Sequence, residues 1–188
     1  SDVPFLLQTK RSKNSCLASL GVEHVINVSF NKMLQELSPE AFVKDVLIKA
    51  FSIRSLYAGS DFAFGKSRAG SMDSLAATGE GFGLDVHPVG LLTDRGRMAI
   101  SSSRIRAALQ AGQIDLAADM LGRKPSVSGP VVMGDQRGRL LNFPTANLEL
   151  GECLEPAFGV YAVSAELEKA DGVRQYLEGV ANIGRRPT

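Results

Sequence analysis

The first two thirds of the chain alternate between two periodicities. Residues 22–30 (VEHVINVSF) are a short β-branched apolar run, the pattern of a strand covered on both faces. Ser38, Pro39 and Glu40 form a helix start: a hydroxyl to cap, proline at the first helical position, and an acid near the positive dipole end. Phe42, Val43, Val46, Leu47 and Ala50 follow at helical spacing. Residues 54–59 (RSLYAG) predict a second strand, residues 72–79 a helix and residues 84–92 a third strand. Helices over 103–110 and 114–121 come next, broken at Gly112. Strands alternating with helices imply right-handed crossovers and an α/β domain on a parallel sheet.

At residues 122–125 (GRKP) the pattern changes. Three β-type stretches follow, 127–133, 158–166 and 176–183, separated by turns rich in Gly, Pro and Asn, with no helical run between them. That pattern predicts an antiparallel barrel or sandwich. The expected boundary lies near residue 124, giving domains of 1–124 and 125–188. No internal repeat or low-complexity segment interrupts either part.

Composition narrows the function without naming it. The chain of 188 residues is 44% hydrophobic and 22% charged, ordinary for a folded protein. A formal net charge of +1 gives no general attraction to nucleic acid or anionic membrane, so neither is expected as a partner. No apolar run approaches the about 18 residues of a membrane span. Cys16 and Cys153 form no metal-ligand spacing, and with no secretory leader pattern the expected compartment is the reducing cytoplasm. The chain opens on Ser1 without an initiator and stops at Thr188 just after a strand-like segment, so it reads as a fragment of something longer.

Two glycine-rich strings fail as nucleotide motifs. In residues 59–67 (GSDFAFGKS) five residues separate the glycines where a P-loop needs four. In residues 79–83 (GEGFG) the third glycine of a dinucleotide fingerprint would fall on Leu84, and no strand leads into it. His24 and His87 stand alone inside strand-like runs and read as structural histidines.

Three other segments carry chemistry. Residues 100–106 (ISSSRIR) open a helix, where free N–H groups and the dipole suit a phosphate. Ser102 and Ser103 add hydroxyls, and Arg106 lies one turn along, where its guanidinium can fork onto phosphate oxygens. A plain serine cap with a solvated arginine fits the same letters. Residues 57–65 (YAGSDFAFG) sit at a strand's carboxyl end, where ligands bind in open α/β sheets. Asp61 there suits Mg²⁺ or a substrate hydroxyl or amine; a turn with an Asx cap and two core phenylalanines is the alternative. The most specific segment is 134–147 (GDQRGRLLNFPTAN). Its glycine-rich basic loop, with Gly134 and Arg139, offers N–H groups and a guanidinium to phosphates. Thr145 and Asn147 place two neutral oxygen ligands two residues apart, on one face of an extended segment, suited to Mg²⁺ carried by a nucleotide. A hairpin with polar turn residues is the bland alternative.

Residues 134–147 resemble the ATP-Mg signature of riboflavin kinase, with its Pro-Thr-Ala-Asn core. Residues 159–163 (GVYAV) and 179–188 (GVANIGRRPT) are similar to that family's later strands, and residues 59–65 and 100–106 are similar to two nucleotide-site motifs of an FMN adenylyltransferase. The order is that of the bifunctional bacterial FAD synthetase family, and the resemblance thins before residue 22.

It implies a nucleotidyltransferase-like α/β domain followed by a riboflavin kinase-like β-barrel. Such a protein phosphorylates riboflavin to FMN and adenylylates FMN to FAD, with Mg²⁺ as cofactor and ATP and flavins as small-molecule partners. It further implies Gly134 and Arg139 on the kinase's ATP phosphates, Thr145 and Asn147 on Mg-nucleotide, Ser102, Ser103 and Arg106 on the adenylyltransferase's ATP, and Asp61 lining that pocket. Asn142 stands where the family has glycine, and Ser103 where threonine is common. The family's His-x-Gly-His motif and catalytic glutamate are expected before Ser1 and after Thr188, so the chain alone is expected to be inactive. The rival expectations are another nucleotidyltransferase with an appended barrel, and a non-catalytic nucleotide- or flavin-binding fragment.

Overall fold

A computed structural model describes residues 4–134, 145–169 and 171–184. Its helices are α1 (Lys10–Ser19), α2 (Lys32–Gln35), α3 (Pro39–Ala41), α4 (Met72–Glu80), α5 (Ser102–Gln110) and α6 (Ile114–Leu121). Its strands are β1 (Ser55–Gly59), β2 (Asp85–Val89), β3 (Val131–Val132), β4 (Asn147–Leu148), β5 (Gly159–Glu168) and β6 (Arg174–Ile183). These fall into two compact units, His24–Ala99 and Ser1–Glu23 with Ile100–Thr188.

In the first unit β1 and β2 pair in parallel, Ser55 opposite Asp85 through Gly59 opposite Val89. Ser38 caps α3 by accepting from Ala41 N, with Pro39 and Glu40 in the first turn. That helix runs on into a wider π-type stretch, Phe42–Ala50, which buries Val43 and Leu47. Ser71 and Ser74 cap α4 reciprocally, and its apolar face buries Met72 and Leu75. These residues pack with Phe64 and Leu84 against Leu56, Ala58 and Val86 of the sheet. Leu75 is fully enclosed, so truncating it to alanine costs about 2–5 kcal/mol. Tyr57 and His87, directly opposite in the ladder, stack on the other face with ring centroids 4.5 Å apart. His87 thus has a packing role, as its isolation in sequence implied.

One expected strand did not form. Residues 22–30 form no strand and pair with no other described strand, and their apolar side chains are exposed, Phe30 at 75%. β-propensity is a preference for a pleated surface with neighbours. This run has the residues but, among the described residues, no ladder to join.

In the second unit α5 and α6 pack together around Ile105, Ala108, Leu109, Ala117 and Met120, with Leu154 closing the same core. Gly112 (φ +73°) makes the left-handed turn between them. The backbone of Phe5 and Leu6 lies along residues 152–154: both N–H groups donate to Glu152 O at 3.0 Å, and Leu154 N donates to Leu6 O at 2.8 Å. α1, capped by Thr9, was not legible in the sequence because KRSKNSCLAS has no apolar stripe and buries no residue. It is tied instead by polar contacts, Arg11 to Glu168 at 2.6 Å and Ser12 to Ser128 at 2.7 Å.

The antiparallel expectation holds as far as pairing goes. β5 and β6 form a ladder from Gly159 opposite Ile183 to Glu168 opposite Arg174, and β3 pairs with β4. Among the described residues these are two separate ladders and not a closed barrel.

Candidate functional site

The end of β1 turns sharply at the predicted ligand loop. Phe62 N donates to Gly59 O at 2.9 Å, and Ser60 N donates to Val89 O at 2.8 Å, fixing the turn to the end of β2. Asp61 is exposed, and its carboxylate folds back over Gly59, where a β-carbon would lie 2.8 Å from Oδ1. The close approach that glycine permits here is made by the chain's own aspartate. Phe64 enters the core and stacks on Phe62 at 5.5 Å. Gly65 (φ +72°) lets the backbone pass Pro39, so its role is conformational.

α5 carries the second group. Ser101 is the cap, accepting from Arg104 N at 3.3 Å. The hydroxyls of Ser102 and Ser103, in the first helical turn, are exposed and are not the capping groups. The plain-cap reading therefore applies to Ser101 and leaves its two successors at the positive helix end. Arg106 is half-buried one turn along. Its Nε donates to Phe5 O at 2.7 Å, and its guanidinium lies 5.5 Å from the Phe5 ring centroid. Asp61 belongs to one compact unit, and Ser102, Ser103 and Arg106 belong to the other.

The third group lies around β3 and β4. Val132 pairs with Asn147, and Glu149 N donates to Pro130 O at 3.2 Å. Gly134 follows β3 and faces the Asn147 side chain so closely that a β-carbon at 134 would collide with its amide Nδ2. Two predicted ligands are thus neighbours. Thr145 lies two residues before Asn147, also exposed. Arg139, Asn142 and Pro144 lie outside the described residues.

Among the described residues the donors at this third place are neutral: an amide, a hydroxyl and a glycine backbone. Among the described residues no group of three or more His, Cys, Asp or Glu is placed to hold a metal ion. Such donors fit a divalent cation that arrives with phosphate oxygens, and fit poorly one bound by the protein alone. What the sequence missed is the Phe5–Arg106 contact, which joins residues 101 positions apart and has no local signal.

Comparison with known proteins gives this arrangement a family. Residues 1–104 match the FAD synthetase family, and residues 121–188 match riboflavin kinase. The chain is 38% identical over 185 residues to the bifunctional riboflavin kinase/FMN adenylyltransferase of Escherichia coli K12, covering 98% of this chain and 58% of that protein. It is 39% identical over 168 residues to the protein of the same name from Pseudomonas fluorescens, covering 89% of this chain and 52% of the relative. A solved structure described as a macrolide-efflux protein from Streptococcus pneumoniae superposes with a TM-score of 0.72 at 27% identity, over 97% of this chain and 62% of that one. Among the described residues no helix is long and apolar enough to cross a membrane. The chain spans a little over half the length of the curated relatives it matches, and it belongs to the FAD synthetase family, with a riboflavin kinase match following in its second part.

Proposed function

We propose that the protein carrying this chain makes flavin cofactors in two ATP-dependent steps. The observation that carries this reading is the order of the two matches, FAD synthetase over 1–104 and riboflavin kinase over 121–188. The division between the activities falls near residue 124, and the part after it completes a β-barrel around the antiparallel ladders. In the first step a ribityl hydroxyl of riboflavin attacks the γ-phosphorus of ATP, forming FMN and releasing ADP. In the second the FMN phosphate attacks the α-phosphorus of another ATP, forming FAD and releasing pyrophosphate. Both are in-line transfers that depend on positioning and positive charge rather than on a covalent intermediate.

At the kinase site Gly134 lets Asn147 sit close to the backbone, and Thr145 and Asn147 orient Mg-ATP with Arg139 on its phosphates. Mg²⁺, when bound with the nucleotide, offsets charge on the transferring phosphoryl group. At the adenylyltransferase site the α5 N-terminus, Ser102, Ser103 and Arg106 hold the triphosphate; Asp61, in the other compact unit, is a separate candidate ligand for ATP or FMN. The substrates are small molecules, and the expected compartment is the cytoplasm. The test supplies the purified protein with riboflavin and Mg-ATP and follows products by chromatography. FMN appears first and then FAD, and supplied FMN yields FAD without riboflavin. Failure to convert either flavin overturns the proposal.

A further inference from the structure

We infer that Phe5 is a positioning residue for Arg106, aiming its guanidinium at the ATP phosphates of the adenylyltransferase site. The inference rests on the reading of Arg106 given above and adds a residue outside both nucleotide motifs. Its starting point is the choice of nitrogen. Phe5 O accepts from Nε, at 2.7 Å, and the terminal Nη1 and Nη2 pair is not consumed by that bond. Those two terminal nitrogens form a fork that can grip phosphate oxygens in pairs. Holding Nε fixes the plane and the direction of the fork while leaving its working edge available.

The Phe5 ring adds a second restraint. It lies 5.5 Å from the guanidinium carbon, within the range for attraction between a cation and an aromatic face. The carbonyl sets the direction of Arg106 and the ring supports it from one side. An arginine in the first turns of a helix otherwise has several rotamers open to it, and ordering them at the moment of binding costs affinity.

Phe5 is itself held in place, which separates this contact from a chance touch by a loose end. Phe5 N and Leu6 N both donate to Glu152 O, and Leu154 N returns a bond to Leu6 O. Leu154 is buried in the same core as Ile105 and Leu109 of α5. Residues 152–154 therefore fix both ends of the contact: they seat Phe5 through its backbone and α5 through its apolar face. These residues belong to the riboflavin kinase match, whereas Arg106 belongs to the motif assigned to adenylylation. A segment of the kinase part thus sets the geometry of a phosphate ligand for the other reaction.

The test is a double-mutant cycle in the protein carrying this chain, read as KM for ATP in FAD formation from supplied FMN. Phe5→Ala raises that KM about two- to five-fold, the range for an exposed cation–aromatic contact. Phe5→Tyr, which keeps a ring, restores it, and riboflavin phosphorylation stays unchanged in both. In an Arg106→Ala background Phe5→Ala has no further effect, because the residue it acts through is gone. If Phe5→Ala leaves the KM unaltered, or lowers FAD formation equally with and without Arg106, Phe5 has no positioning role. If Arg106→Ala alone leaves FAD formation intact, the assignment of Arg106 fails, and this inference fails with it.

Discussion

Replacing Gly134 by alanine separates what this glycine does for the fold from what it does for the site. Gly134 is not among the glycines with left-handed backbone, so alanine is conformationally allowed there. What the new methyl meets is the amide of Asn147, first Nδ2 and then Cγ, the far end of a flexible side chain. Asn147 therefore rotates away while the β3–β4 pairing stays. An off-rotamer asparagine costs about 0.5–1.5 kcal/mol. Against this, a glycine-to-alanine change at an allowed position gains about 0.4–1 kcal/mol through the unfolded chain. The two nearly cancel, and the unfolding midpoint should move by no more than a few degrees.

Function should not be spared in the same way. The amide must shift by roughly 1 Å, and a shift of that size on a substrate-positioning group costs on the order of 10²-fold. Gly134→Ala should lower kcat/KM for ATP in FMN formation by about 10- to 100-fold, with FAD formation from supplied FMN unchanged. Initial rates of the two steps, measured beside the unfolding midpoint, decide this. In an Asn147→Ala background the clash is gone, and adding Gly134→Ala should change nothing more. Wild-type phosphorylation by Gly134→Ala would refute the reasoning, because a displaced Asn147 would then be irrelevant to ATP.

Two further outcomes are expected. Arg106→Ala should reduce FMN adenylylation by about 10²–10³-fold, the usual effect of losing a positioned phosphate contact, and leave riboflavin phosphorylation nearly intact; equal loss of both steps in separate assays would contradict the division into two sites. The Arg11 guanidinium, through its hydrogen bond and then its charge, with Arg174 adding charge, holds the Glu168 carboxyl below the usual glutamate range. A lowered folded value means the stabilisation is fully present above the unfolded value and is lost as pH falls through the folded one. Arg11→Ala should therefore lower the unfolding midpoint slightly at neutral pH and leave it unchanged once the solution is acid enough to protonate Glu168. A difference persisting in acid would assign the effect to packing.

The α/β part was readable because its signals are local. Ser38-Pro39-Glu40, the run from Phe42 to Ala50 and the strand runs at 55–59 and 85–89 follow from periodicity and caps within one element, and the parallel direction of the sheet from the alternation of strands and helices. Residues 22–30 misled for the complementary reason: a β-branched run states what a strand is made of and not whether a neighbour exists. α1 escaped because Thr9, Arg11 and Ser12 hold it by polar contacts to residues more than a hundred positions away. At the candidate sites glycine at 134 and asparagine at 147 were legible as candidates. Their contact was not, because it depends on β3 meeting β4. Nor did anything near Arg106 point to Phe5.

The central claim is that residues 134–147 bind one Mg-nucleotide complex. The direct measurement is calorimetric titration of ADP, with and without Mg²⁺, into the chain carrying Arg106→Ala to silence the other nucleotide site. Neutral ligands hold Mg²⁺ poorly until phosphate oxygens complete its shell, so metal and ADP should bind as a unit, with little affinity for Mg²⁺ alone. Adding Asn147→Ala removes a contact to a charged complex and should weaken Mg-ADP by about 10- to 100-fold. Asn147→Asp, which places a negative charge beside the phosphates, should also weaken it. Wild-type affinity in both Asn147 variants would leave Thr145 and Asn147 as the ordinary start of a strand and contradict the reading.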